Sequence, residues 1–283
     1  MTSFCVLIPY FNKEDSIKEV LQALNDYCPS LCKVLLLIDG CLAPNLPTYN
    51  NLDLTLISNE TNQGLSFSRN KLLETCTDDN ILFLDADAVI YPDFFEALNK
   101  SWNQAKVIAG QEFSSPNQGL SNAFRSIFWK QTHGNQNIID CPFLMGICFA
   151  GQRKEFLKYG EFSLNWTNYG EDVEFSLRYK KHSPIFYNSG LKVHHLRNDS
   201  VKSMMQMINN HNKFFIKAHL FHKIKIPNYF TYSFYWILVS VYSSLFTHKS
   251  PSLAFASFIY NGFSALNRCY HFINYRFFNY DKH

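Results

Sequence analysis

The sequence predicts an α/β fold, with a mostly parallel central sheet flanked by helices and a helical extension behind it. Three observations carry this. Apolar runs too short for helices recur at residues 4–8, 34–38 and 81–84, each bounded by polar or turn-forming residues as buried strands are. Segments with helical spacing lie between them, and strands alternating with helices imply right-handed parallel crossovers. From Val201 onward the pattern is helical throughout.

In order, Phe4 to Ile8 reads as the first strand, stopping at Pro9. Glu14 to Leu24 follows as a helix with Ile17, Val20, Leu21 and Leu24 on one face. Val34 to Ile38 is the second strand and ends at Asp39-Gly40; Leu52 to Ile57 is a third, weaker one. Leu65 to Cys76 forms a helix carrying Arg69, and Ile81 to Leu84 is the fourth strand. Asp85 and Asp87 stand at its carboxyl end, the edge at which open α/β sheets bind ligands. Paired carboxylates there suit a hard divalent cation shared with substrate phosphates. Tyr91 to Leu98 reads as a helix with Pro92 in its first turn. Asp39, Arg69, Asp85 and Asp87 are thereby expected along one sheet edge.

Further on, Val107 to Gly110 reads as a strand. Residues 111–139 read either as a flexible loop over the cleft or as a surface helix through Ala123 to Lys130. Phe143 to Phe149 is apolar, Arg153 to Tyr159 helical, and Pro184 to Tyr187 and Leu191 to His195 two short strands. In Gly170-Glu171-Asp172 the glycine permits a turn and the acids open a helix, where the macrodipole favours negative charge. Such acids are often structural; in a cleft, one can serve as general base. His194 and His195 are neighbours on a strand and point to opposite faces.

A net charge of +3 and the lack of a basic stripe argue against nucleic acid. Neither a G-x-G-x-x-G nor a Walker-type loop follows the first strand. Eight cysteines without paired CxxC spacing read as buried thiols. No secretory signal is visible, so the expected setting is reducing and cytoplasmic.

Residues 4–98 resemble the nucleotide-sugar-binding half of glycosyltransferase family 2, which has the GT-A fold. The matching segments are V-L-I-P-Y-F-N at 6–12, L-I-D-G at 37–40, N-Q-G-L-S-F-S-R-N at 62–70 and I-L-F-L-D-A-D at 81–87. The Glu171-Asp172 segment is similar to the Glu-Asp pair of galactosyltransferase-like members. The resemblance implies residues 1–98 as the nucleotide-sugar half, 99–200 as the acceptor half and 201–283 as a separate helical region. It also implies a base site at Pro9, Tyr10 and Asp39, and Arg69 against base or ribose. Asp85 would touch the ribose and join Asp87 and His195 around Mn²⁺ or Mg²⁺. Asp172 becomes the base of an inverting transfer, with Glu171 binding or orienting acceptor. Ile38 stands where the family commonly has a further acid, which loosens the inference of a UDP-linked donor. The acceptor is expected to be a glycan, a lipid-linked molecule or a protein. A nucleotidyltransferase on a related sheet and a non-catalytic nucleotide-sugar-binding module are the alternatives.

The region 201–283 is rich in Tyr and Phe with interspersed lysines. It reads either as a helical subdomain packed on the sheet, or as a peripheral attachment to the cytoplasmic face of a membrane. The 229–246 run lies near the lower length limit for a span.

Overall fold

The computed structural model describes residues 4–113, 119–166, 169–222 and 229–277. Among these, the chain divides into two units: Met1–Ser114 with Gln131–Leu196, and Ser115–Lys130 with Arg197–His283. Residues 115–130, which the sequence assigns to the acceptor half, thus go with the C-terminal helices.

In the first unit the strands are β1 (Cys5–Tyr10), β2 (Cys32–Asp39), β3 (Leu52–Asn59), β4 (Asn80–Leu84), β5 (Ala88–Ile90), β6 (Val107–Glu112), β7 (Cys148–Gln152) and β8 (Phe186–His195). They form one sheet in the order β3-β2-β1-β4-β7-β6-β8-β5. β1 pairs in parallel with β2 and β4, β2 with β3, and β6 with β8, whereas β7 runs antiparallel to β4 and β6, and β5 to β8. The sheet is therefore mostly parallel, as expected.

Helices α1 (Glu14–Tyr27), α2 (Leu65–Thr75), α3 (Phe94–Ser101), α5 (Arg153–Lys158) and α6 (Glu171–Tyr179) belong to this unit; α4 (Gly119–Phe128) belongs to the other. Period-two alternation along the strands builds two cores. Val6, Ile8, Leu82 and Leu84 pack with Ile17, Val20, Leu21 and Phe94 on one face. Cys5, Leu7, Ile81 and Phe83 pack with Leu72, Phe149, Phe156 and Phe175 on the other. The result is an α/β/α stack in which β1, β2, β4, β6 and β8 all deliver their carboxyl ends to one edge.

Three differences from the sequence reading bear on the site. β5 is an additional strand directly after the two aspartates, pairing Ala88 with His195. The segments at 184–187 and 191–195 are one strand, bulged where its pairing with β6 shifts between Ala109 and Gln111. Residues 143–147 precede β7 as a loop, and Ile147 O accepts from Asp85 N at 3.1 Å.

The second unit holds α4, α7 (Val201–His222), α8 (Tyr229–Tyr242), a π-helical turn (Ser243–Thr247) and α9 (Pro251–Phe277). Phe124, Met204, Met207, Ile208, Leu253 and Tyr260 form its core. No helix among the described residues is long and apolar enough to cross a membrane.

Candidate active site

Arg69 is the hub. It sits on α2, whose start follows Gly64, a residue in a positive-φ conformation (φ 89°). Asp39 secures that approach: its carboxylate accepts from Gln63 N and Gly64 N, both at 2.9 Å, and from Asn59 Nδ2 at 2.8 Å. Gly40 lies where a Cβ would meet Asn62 N at 2.1 Å, so only glycine passes there.

The Arg69 guanidinium reaches three groups remote in sequence. Nη1 donates to Glu171; Nη2 donates to Asp85 Oδ1 at 3.2 Å and to Gly146 O at 2.7 Å. The rings of Phe83, Phe149 and Phe162 stand 5.2–6.0 Å from its carbon, within cation–π range. At 1% exposure, Arg69 is a buried strut between the Asp85 and Glu171 carboxylates.

Glu171 is likewise 3% exposed and turned to Arg69, so it orients the arginine rather than an acceptor. Burial pushes its carboxyl up to about 7 against the pull of Arg69, and Asp172 adds to the rise. Asp172 is only partly buried. Its carboxyl is also raised by burial, while Arg69 and the N–H groups of Val173 and Gly146 oppose the rise. Val173 N donates to Asp172 Oδ1 at 2.8 Å. Gly170, left-handed at φ 83°, turns the chain into α6. Asp172 Oδ2 lies 2.9 Å from where a Cβ on Gly146 would stand, and Arg69 Nη2 lies 3.5 Å from it. Asp85 and the Glu171-Asp172 pair therefore meet across Arg69 and Gly146.

The second cluster centres on Asp87. His195 Nε2 is 3.2 Å from Asp87 Oδ1, and Glu112 Oε1 is 3.5 Å from His195 Nδ1. Lys13 Nζ is 3.2 Å from Asp87 Oδ2. Burial disfavours the charged ring, but the charge of Asp87 and hydrogen bonds to Asp87 and Glu112 outweigh it and hold the His195 pKa up at about 10. His194 faces away, toward Phe113 O. A carboxylate oxygen and an imidazole nitrogen 3.2 Å apart have nearly the separation of adjacent donors on one octahedral ion with bonds of ~2.1 Å. Glu112, 1% exposed, stands where a carboxylate fixes the tautomer of a ligating histidine. Asp87 and His195 thus fit as two of the residues that would hold Mn²⁺ or Mg²⁺. Asp85 is turned to Arg69 instead. Among the described residues, three potential donors crowd within 4.8 Å only at Cys5, Cys76 and Asp78, by the amino end of β1.

Pro9 and Tyr10 end β1 beside Leu37 and Ile38 of β2. Tyr10 is 3% exposed and packs in the core, so its ring is not offered to a ligand; Phe11, the next residue, is exposed. Sequence reasoning missed Glu112 and Lys13. The signal for Glu112 was available, since Gln111-Glu112 directly follows the apolar V-I-A-G of the strand that ends beside β8.

Comparison with known proteins shows the family and the fold. Residues 5–160 match the profile of glycosyl transferase family 2. An uncharacterized glycosyltransferase of Haemophilus influenzae is 25% identical over 198 residues, 64% of this chain and 66% of that relative, just under two thirds of its length. Among solved structures, the mannosyltransferase PcManGT from Pyrobaculum calidifontis, in complex with GDP-Man and Mn²⁺, superposes with a TM-score of 0.59 at 13% identity, covering 95% of this chain and 73% of that one. S. aureus TarS 1-349 in complex with UDP gives 0.56 at 15% identity, covering 97% and 91%. At such identities these likenesses speak for the fold.

Proposed function

The chain belongs to glycosyl transferase family 2, and on that footing we propose that it moves a sugar from a nucleotide-sugar donor, UDP-linked by preference, to an acceptor hydroxyl with inversion. One observation carries the reading: Arg69 bonds both Asp85 and Glu171, so the first acid after the fourth strand and the segment that holds the candidate base are brought together.

The acceptor oxygen attacks the anomeric carbon as the bond from that carbon to the diphosphate oxygen breaks, and the hydroxyl proton passes to the Asp172 carboxylate. Burial raises the basicity of Asp172, while Arg69 and the helix-start N–H groups keep it from being fixed as the neutral acid. Assistance of this kind is typically worth ~10²–10⁴ in rate. Asp87 and His195 would hold a divalent ion, which when bound neutralises negative charge on the diphosphate leaving group. Glu112 fixes His195, and Glu171 fixes Arg69, so the reacting groups are set before substrate arrives. Asp39 is proposed to keep the loop at 59–64 in place beside the base site at Pro9 and Phe11. Residues 1–98 are proposed as the donor half, and 99–114 with 131–196 as the acceptor half. Eight free thiols support a reducing, cytoplasmic setting.

The test is a panel of sugar nucleotides with Mn²⁺ or Mg²⁺, scored for release of the free nucleoside diphosphate with and without candidate acceptors. Diphosphate release with sugar transfer is expected. Pyrophosphate release would favour a nucleotidyltransferase, and tight donor binding without turnover a binding module.

A further inference from the structure

Beside its apolar core, the C-terminal unit has a polar seam between helices whose outer faces are apolar, and that pattern identifies a surface. Along α9, Ser257, Asn261 and Ser264 are buried on one stripe. Ser257 Oγ meets Ser244 Oγ at 3.0 Å, Asn261 Nδ2 donates to Ser240 Oγ at 2.8 Å, and Asn212 Nδ2 donates to Ser264 Oγ at 3.1 Å. One turn on, Arg268 Nε donates to Asn212 Oδ1 at 2.7 Å, and Asn267 Nδ2 to Asn209 Oδ1 at 2.8 Å. A polar ladder therefore joins α7, α8 and α9 on the inside. The outside is apolar: Leu238, Tyr242 and Phe246 on α8 and the π-helical turn, and Phe255, Phe258 and Leu266 on α9 all face solvent, Leu266 at 75% exposure and Phe255 at 68%.

In water this arrangement leaves large apolar groups exposed in one contiguous region, which is the mark of an interaction surface. Serines and asparagines turned inward with aromatic and aliphatic residues turned outward is the arrangement of helices packed in lipid. Charge selects among the possible occupants. Residues 201–280 hold eight Lys and Arg and no Asp or Glu, whereas residues 1–200 hold 17 basic and 22 acidic residues. Lys202, Lys213 and Lys249 are exposed. A stretch that carries basic side chains and no acidic ones, three of the lysines exposed, disfavours a second copy of itself and is drawn to anionic headgroups.

We infer that the outer face of α8, the π-helical turn and α9 docks in the interface of an anionic lipid bilayer. The helices lie in the headgroup and upper acyl layer, since none among the described residues is long and apolar enough to cross. The inference does not depend on the catalytic reading.

Full-length protein is sedimented with vesicles of phosphatidylcholine alone and of equimolar phosphatidylcholine and phosphatidylglycerol, at low and high salt. Strong partition to the anionic vesicles, weakened by salt, is expected. Phe255→Glu with Leu266→Glu should lower the partition coefficient at least about tenfold, and Lys202→Glu with Lys249→Glu should weaken it only on anionic vesicles. Tyr242→Trp puts a reporter on the outer face, and lipids brominated on their acyl chains should quench its fluorescence. Absent binding, unchanged binding by the Phe255/Leu266 variant, or lack of quenching would overturn the inference. So would light scattering showing a dimer that the same variant dissociates, which would assign the face to a second copy.

Discussion

Replacing Arg69 with methionine isolates the strut at the centre of the site. The guanidinium is 1% exposed and its partner Glu171 3% exposed, so Arg69→Met leaves a buried carboxylate without its cation. Breaking a buried ion pair on one side typically costs 3–5 kcal/mol, and Asp85 and Gly146 O lose their donor as well. The pH dependence has a definite sign. The Glu171 pKa in the folded protein, about 7, already exceeds its ordinary value of 4.5 despite Arg69. The native state therefore binds more protons than the unfolded chain, and this group's favourable contribution falls as pH rises from about 4.5 through about 7. Removing Arg69 moves the upper end of that window higher, so Arg69→Met should lose most at pH 8 and least at pH 5. Arg69→Met with Glu171→Met removes both charges and should recover most of the loss, because an apolar pair of similar volume is often neutral. Thermal melts of parent, single and double variants at pH 5 and pH 8 measure this; for a domain of about this size each kcal/mol corresponds to ~2–4 °C. A single variant within 2 °C of the parent at pH 8, or a double variant no more stable than the single, would refute the buried strut.

Other outcomes follow from the same geometry. Gly146→Ala puts a methyl group 2.9 Å from Asp172 Oδ2, and should lower kcat about 10²-fold by misplacing the base while donor KM holds; an unchanged kcat contradicts it. Glu112→Gln should weaken Mn²⁺ binding by about 10–100-fold, read directly by electron paramagnetic resonance, and an unchanged affinity would separate Glu112 from the metal site. Because Asp172 must be ionised to accept a proton and its pKa is raised by burial, kcat/KM should fall on acidification at a pH above the ordinary aspartate value of ~3.9. A profile flat down to that value would reject a raised base.

Much of the fold was legible because three apolar runs of strand length mark β1, β2 and β4, a weaker stretch marks β3, and helical spacing marks α1 and α2. β5 was not, since Ala88-Val89-Ile90 is three residues long and owes its strand state to pairing with β8. The bulged β8 looked like two strands because Asn188-Ser189-Gly190 carries turn chemistry; Asn188 is instead bonded to Ala97 O and Ser101 Oγ. At the site, the structure places Asp85 beside Arg69 and Asp87 beside His195, next to the carboxyl end of β4. Which polar groups face each other was not legible. Arg69 bonds Gly146 and Glu171, 77 and 102 positions away, pairings that only three-dimensional packing shows. The burial of Tyr10 follows from alternation along β1, which turns its ring into the core.

The convergence of distant carboxylates on one reaction is tested most directly by Asp172→Asn, comparing donor binding with single-turnover sugar transfer in the same preparation. Donor affinity within about twofold of the parent and a transfer rate lower by ~10²–10⁴ is the expected result. Transfer at the parental rate would contradict it, because the proton of the attacking hydroxyl would then be going elsewhere.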